Sequence, residues 1–274
     1  MSEHNEVKAI ICPNCGKLIS GTAESCMHCG MKNPSMWGLS EHLRKFFGGQ
    51  TSLIPIISTF CVTLYLLSLI LDIRSISGLI QPGHNVLVKL GMSGLAAIIK
   101  GHWWTLITAI YLHGNILHIM FNMMWIRQLG PQVEDLFGIS RSFVIFTVAG
   151  AVGFLFSSFA FVISPKFVVG FTLGASGSIF GLLGALVFYG KKRGGAFGTA
   201  IYRQTGQWAI VLFIFGFLFP GVDNFAHAGG FIGGYLAANA LGFTELKRES
   251  RNHQLLAFVL IVMTILSFIL AFIN

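Results

Sequence analysis

The sequence predicts an all-α membrane protein of several spans, preceded by a small cysteine-rich module. Three observations carry this prediction. Of 274 residues, 54% are hydrophobic and only 10% charged, against about a quarter charged in an average soluble domain. The apolar residues gather into long uncharged runs, and about 17–25 such residues cross roughly 30 Å of hydrocarbon. Four of the five cysteines lie in the first 50 residues, which hold none of these runs. The same figures exclude a water-soluble globule, a disordered chain, a collagen and a secreted disulfide scaffold.

The segment Met1–Gln50 is polar, and with no early apolar run it predicts no cleavable signal peptide. Seven candidate spans follow: Ser52–Leu71, Gly114–Ile126, Ser142–Ile163, Leu173–Tyr189, Trp208–Phe219, Phe225–Phe243 and Leu255–Ile273. The second and fifth are short as uncharged runs. Trp103–Leu112 is apolar too, and reads either as an extension of the second span or as an interfacial segment before it; Trp103 and Trp104 fit an interfacial aromatic belt. Lys and Arg in alternate segments total 14 on one side against 4 on the other. By the positive-inside rule this places the N-terminus in the cytoplasm and the C-terminus outside, as in a bacterial plasma membrane. The formal net charge of +8 is absorbed by clusters such as Lys191-Lys192-Arg193 and Lys247-Arg248, so the charge reads as topology and not as nucleic-acid binding.

Cys12-Pro-Asn-Cys15-Gly and Cys26-Met-His-Cys29-Gly form two C-x2-C-G knuckles ten residues apart. Glycine after each pair permits a tight turn that aims two thiolates at one ion, and four thiolates close a tetrahedral zinc site. A pair of disulfides is the competing reading, disfavoured by the reducing compartment that the topology implies. With no open coordination position, the zinc would be structural or regulatory, and the module could engage a cytoplasmic partner. His28 reads as a turn residue, and Cys61, alone in the first span, as core packing.

Polar side chains inside spans are costly unless partnered, so each is a functional candidate. Three clusters stand out: His113-Gly-Asn-Ile-Leu-His118-Ile-Met-Phe-Asn122, Gly174-Ala-Ser176-Gly177, and Asp223-Asn-Phe-Ala-His227. His118 and Asn122, at i and i+4, share a helix face. The clusters fall near the starts of the second, fourth and sixth spans, which the topology runs in one direction, so all three occupy one depth below the outer surface. Gly174, Gly177, Gly181 and Gly184 are spaced to line one face of the fourth helix, and His227, Gly230 and Gly234 one face of the sixth. Small residues at this spacing let backbones approach closely, which could bring Ser176 to His227. A serine hydroxyl needs a neighbouring base, and a neutral imidazole fills that role near pH 7. His118, Asn122 and the Ser176 N–H would then be donors to a developing oxyanion. Asp223 reads as the N-cap of the sixth helix.

At these residues the chain resembles the rhomboid family of intramembrane serine proteases: Gly-x-Ser-Gly at Gly174–Gly177, His-x4-His-x3-Asn at His113–Asn122, and Ala-His-x-Gly-Gly at Ala226–Gly230, in order. The resemblance covers about residues 50–243. It implies a rhomboid-like core of six transmembrane helices over 51–243 and a loop and seventh helix over 244–274, following the zinc ribbon and linker that the cysteine knuckles predict over 1–50. It implies a Ser–His dyad without a third acid, with Ser176 as nucleophile and His227 as general base and then acid. It further suggests His118 and Asn122 as oxyanion contributors and His113, Gly174 and Gly177 as supporting residues, with no cofactor for catalysis. Substrates would be transmembrane proteins cut near the outer membrane face. Gly130-Pro-Gln-Val-Glu134 resembles the family's Gly-x3-Glu stretch, a structural brace. A Trp-Arg pair common in the family's first outer loop is replaced here by Trp104-Thr105. A catalytically silent rhomboid-like scaffold or chaperone is the alternative, distinguished by loss of the Ser or His, both present here.

Overall fold

The computed structural model describes residues 9–12, 17–30, 52–72, 80–163, 165, 170–247 and 249–273, and the chain divides into two compact units, Met1–Ser52 and Leu53–Asn274. In the first, β1 (Ala9–Ile11) and β2 (Leu18–Ser20) pair antiparallel with Ile10 opposite Ile19. The Cys12 N–H donates to the Lys17 carbonyl at 2.8 Å. Cys12, Cys26 and Ile19 form its small buried cluster.

The second unit is helical: α1 (Ile54–Ile70), the short α2 (His84–Lys89), α3 (Leu95–Ile99) and α4 (Thr105–Thr108), a 3-10 turn at Ala109–Tyr111, then α5 (Ile116–Phe137), α6 (Ile139–Ile163), α7 (Ser176–Arg193), α8 (Gly195–Leu218), α9 (Asn224–Leu241) and α10 (Arg251–Ile273). By length and composition α6 and α10 each suffice to cross a bilayer, and Thr105–Tyr111 with α5, bent by 91°, would count as a third span. α1 is a shorter apolar helix. The glycine and polar clusters on α7 and α9 dilute their hydropathy. The fold is that of an all-α polytopic membrane protein, with a C-terminal transmembrane helix, α10, after α1 and α5 to α9.

Two expected spans end elsewhere. The second does not stop at Ile126: α5 runs on through Gly130-Pro131 to Phe137. Proline removes one helical hydrogen bond, but Ile126, Leu129, Val133 and Phe137 are all fully buried, and that continuous stripe holds the helix together across the break. The fifth begins at Gly195 rather than Trp208, because Gly198, Ile201 and Thr205 are buried at helical spacing. Trp103–Leu112 is not a straight extension of the second span; it is the short α4 and a 3-10 turn, set nearly at right angles to α5. Trp104 is buried at 9% exposure and stacks on His102 at 4.7 Å, so only Trp103, 46% exposed, fits an aromatic belt.

α7 is the central helix, buried from Gly177 to Gly190. α9 lies against both α6 and α7, and glycines make each contact. A Cβ on Gly229 or Gly233 would meet Phe156 or Val152 of α6, and a Cβ on Gly230 or Gly234 would run into the Gly177 or Gly181 carbonyl of α7. The resemblance's structural brace has a concrete form here: Glu134 Oε1 accepts the Leu53 N–H at 2.8 Å, tying α5 to the start of α1. Arg141, fully buried at the start of α6, donates to His253 Nδ1 and to the Gly242 carbonyl at 3.1 Å each, and to the Lys247 carbonyl. Its own N–H donates to Glu249 Oε1 at 3.0 Å. Cys61 is buried in the core, as expected.

Candidate active site

The three polar clusters converge on the N-terminal ends of α5, α7 and α9. On α5, Asn115 caps the helix by accepting the His118 N–H at 2.8 Å. Gly114 N–H donates to His118 Nδ1 at 3.4 Å, so the neutral ring carries its proton on Nε2. That nitrogen is the first atom a Cβ on Gly174 would meet, at 2.5 Å. His118 thus presents a donor to the turn that leads into α7. Asn122, buried, donates one Nδ2 hydrogen to the His118 carbonyl at 2.8 Å and keeps a second. His113 is buried with its ring 5.1 Å from that of His118, edge to face. Neither of its nitrogens has a hydrogen-bond partner among the described residues.

Gly174 does not lie on α7, where the glycine spacing predicted it. It sits in the preceding turn at φ 116°, a conformation that favours glycine, with its N–H donating to the Ala109 carbonyl at 2.8 Å. Both that φ and the His118 ring exclude a side chain there. Ser176 is the first residue of α7, half-buried, and no side chain caps that helix. The N–H groups of its first turn therefore lack intrahelical acceptors. Gly177 faces α9, but a Cβ there would reach only ordinary contact, 3.5 Å from the Ala226 carbonyl; the steric demand falls on Gly230 across from it.

On α9, Asp223 is the N-cap, its Oδ1 accepting the Ala226 N–H at 2.9 Å while Oδ2 accepts the Ser157 hydroxyl. His227, 6% exposed, lies flat on Phe180 with ring centroids 4.3 Å apart and 16° between planes. Its Nδ1 is 3.2 Å from Asn224 Oδ1. A carbonyl oxygen can only accept, so Nδ1 holds the proton and Nε2 presents a lone pair. Phe180 is one turn beyond Ser176 on the same face of α7. The Ser176 hydroxyl makes no hydrogen bond among the described residues, to His227 or to any other group.

Asn224 and Phe180 were not singled out from the sequence, yet they set the imidazole's tautomer and plane. Their spacing to His227 (i−3) and to Ser176 (i+4) is the signal that could have found them.

In the first unit, the Sγ atoms of Cys12, Cys26 and Cys29 lie within 4.8 Å of one another, and those of Cys12 and Cys29 are 3.7 Å apart. A disulfide would need about 2.05 Å. Thiolates bound tetrahedrally at about 2.3 Å from zinc stand about 3.8 Å apart, so these residues fit a metal ion. Cys15 lies outside the described residues. His28 is in the turn Met27–Cys29 and exposed.

Residues 100–244 match the family model described as a rhomboid domain. The chain is 37% identical over 189 residues to Rhomboid protease GluP of Bacillus subtilis, covering 68% of this chain and 35% of that protein. It is 31% identical over 205 residues to RHOMBOID-like protein 1 of Arabidopsis thaliana, covering 72% and 48%. To RHOMBOID-like protein 5 of that plant it is 35% identical over 182 residues, covering 64% and 54%. The chain thus spans about a third to a half of the length of these curated relatives. The match takes in all three polar clusters and the helices that carry them, and on it the chain belongs to the rhomboid family.

Proposed function

We propose that this protein is an intramembrane serine endopeptidase that cuts transmembrane protein substrates near the outer face of the membrane. The observation that carries the reading is the convergence of three helix starts, which sets His118 Nε2–H against the turn before Ser176 and the His227 ring one turn below it. The named protease among the relatives supports the same chemistry.

In this reading the Ser176 hydroxyl reaches His227 Nε2 when substrate binds; such bonds are often long in a resting enzyme and tighten with substrate. His227 takes the hydroxyl proton as Oγ attacks the scissile carbonyl, and the carbonyl oxygen becomes the oxyanion. Donors for it are the Ser176 N–H, His118 Nε2–H and the remaining Asn122 N–H, each worth roughly 2.7–4 kcal/mol in acyl transfer. His227 then passes its proton to the leaving amine, and the bond to nitrogen breaks. Water, deprotonated by His227, releases the acyl group from Ser176. No cofactor enters these steps. Gly174, Gly177 and His113 keep the surrounding backbone and rings in place.

The test is cleavage of a single-span substrate by the purified protein in liposomes. Ser176→Ala and His227→Ala should each lower the rate by about 10⁴-fold or more while the helices stay folded by circular dichroism. Cleavage persisting in Ser176→Ala would sink the dyad, and an inert parent chain would favour the silent scaffold.

The orientation proposed is N-terminus in the cytoplasm and C-terminus outside, in a bacterial plasma membrane. Cys12, Cys15, Cys26 and Cys29 would hold one structural zinc ion in a cytoplasmic ribbon that binds a further partner. Bound zinc would supply folding free energy to this unit. Metal analysis of the full chain should give about one zinc per molecule, lost in Cys26→Ser. Stoichiometric retention of zinc in that variant would remove Cys26 from the ligand set.

A further inference from the structure

A cavity of about 710 Å³ opens where α1 and α10 end, between Leu71, Phe272 and the short helices α2 and α3. Its volume is in the range of pockets that hold small ligands. Its walls are mostly apolar, with His102, Trp104 and Thr105 adding polar groups, and among the described lining residues the lysines are Lys89 and Lys100 and none carries a carboxylate. Both lysines are exposed, and neither ammonium has a hydrogen-bond or ion-pair partner among the described residues.

The two cations are also out of place by topology. Only 4 of 18 basic residues fall on the charge-poor side, and Lys89 and Lys100 are two of them. Charge that orientation disfavours needs another reason to be there. The walls formed by Leu71 and Phe272 are the ends of long helices, so the cavity lies where acyl chains meet headgroups. Lysine stems run along apolar surface with the ammonium at the polar boundary, the arrangement that places a phosphate over an apolar slot.

We infer that this cavity is a binding site for one anionic phospholipid, its phosphate held by Lys89 and Lys100 and its upper acyl chain lodged between the ends of α1 and α10. A peptide is less suited, since two cations with no carboxylate among the described lining residues favour an anionic ligand over a neutral backbone. The floor continues from Met92 into Ser93, which exchanges backbone hydrogen bonds with Thr172 at 3.1 and 2.8 Å, four residues before Ser176. An occupied site would therefore brace the segment leading into α7, though the binding claim stands independently of the catalytic reading.

The experiment is native mass spectrometry of the full chain released from micelles holding equal phosphatidylglycerol and phosphatidylcholine of the same acyl chains. A basic residue at an anionic surface is worth about fivefold in affinity, so phosphatidylglycerol should be retained about 25-fold over phosphatidylcholine. Lys89→Gln/Lys100→Gln should bring the two lipids to parity, while Lys191→Gln/Lys192→Gln, remote from the cavity, should keep the preference. Ala97→Phe fills the slot and should lower retention of both lipids with the lysines intact. Parity in the parent chain, an undiminished preference in the Lys89/Lys100 variant, or an equal loss in the Lys191/Lys192 control would overturn the site. Displacement of the lipid by soluble glycerol phosphate at millimolar concentration would overturn the lipid as its occupant.

Discussion

α7 is flanked by two helices that hold it in different ways. Along α9 the contact is backbone on backbone, with Gly230 and Gly234 set against the Gly177 and Gly181 carbonyls and no side chain between. Along α8 that closeness occurs only at one end, where Gly190 faces Gly198 and Tyr202. Farther along, α8 turns Ile210, Val211, Ile214 and Phe217 outward, each more than half exposed, and touches α7 through edge contacts such as Phe180 with Phe213 at 6.4 Å. The difference teaches where precision is needed. The helix carrying His227 cannot move without breaking backbone contacts, whereas the helix beside it meets α7 beyond Gly190 through side chains.

Substitutions can break or sharpen that contrast. Gly230→Leu should have the largest effect: overpacking costs about 1–3 kcal/mol where side chains can yield, and here the obstacle is a carbonyl. Cleavage should vanish and the thermal unfolding midpoint should fall; a variant of parent stability would mean the helices are not nested as described. Asn224→Ala leaves the α7–α9 backbone contact alone, removes a side chain packed on Gly216 of α8, and frees the His227 tautomer. We expect kcat to fall about 10²-fold, less than the ~10⁴ lost when a charged orienting group is neutralised, with KM nearly unchanged and Asn224→Asp restoring much of the rate. A KM effect of the same size would assign Asn224 to substrate contact. The smallest effect should come from Phe217→Ala on α8, within about 0.5 kcal/mol of parent stability by denaturant titration, with cleavage retained. A loss as large as that of Gly230→Leu would erase the distinction between the two flanks.

Much of the fold was legible because hydrocarbon imposes a simple rule, long runs without charge. The rule failed where helices leave hydrocarbon: α5 continues past Ile126 and α8 begins before Trp208, since charged and polar residues such as Arg127 and Arg203 are tolerated there and tertiary stripes alone sustain the helix. The short helices α2 and α3 are too brief to give any periodic signal. In the candidate site, Ser176, His118 and His227 could be singled out because polar groups in an apolar setting demand a reason. Phe180 was not, being one of 26 phenylalanines, and Asn224 was hidden beside Asp223, whose capping role already explained the polarity at that helix start. The placement of Gly174 before α7 could not be seen either, since its regular spacing with Gly177 and Gly181 mimics a helical face.

Arg141 sets a limit on how this molecule can be trimmed. Its guanidinium and N–H draw acceptors from the end of α9, the following loop and the first turn of α10. A chain cut after residue 243 would keep that cation sealed at the foot of α6 with most of its acceptors gone, a loss that costs several kcal/mol when a buried charge is stranded. The last helix is therefore not an appendage to six self-sufficient ones; it supplies the counterpart that lets an arginine be interior at all.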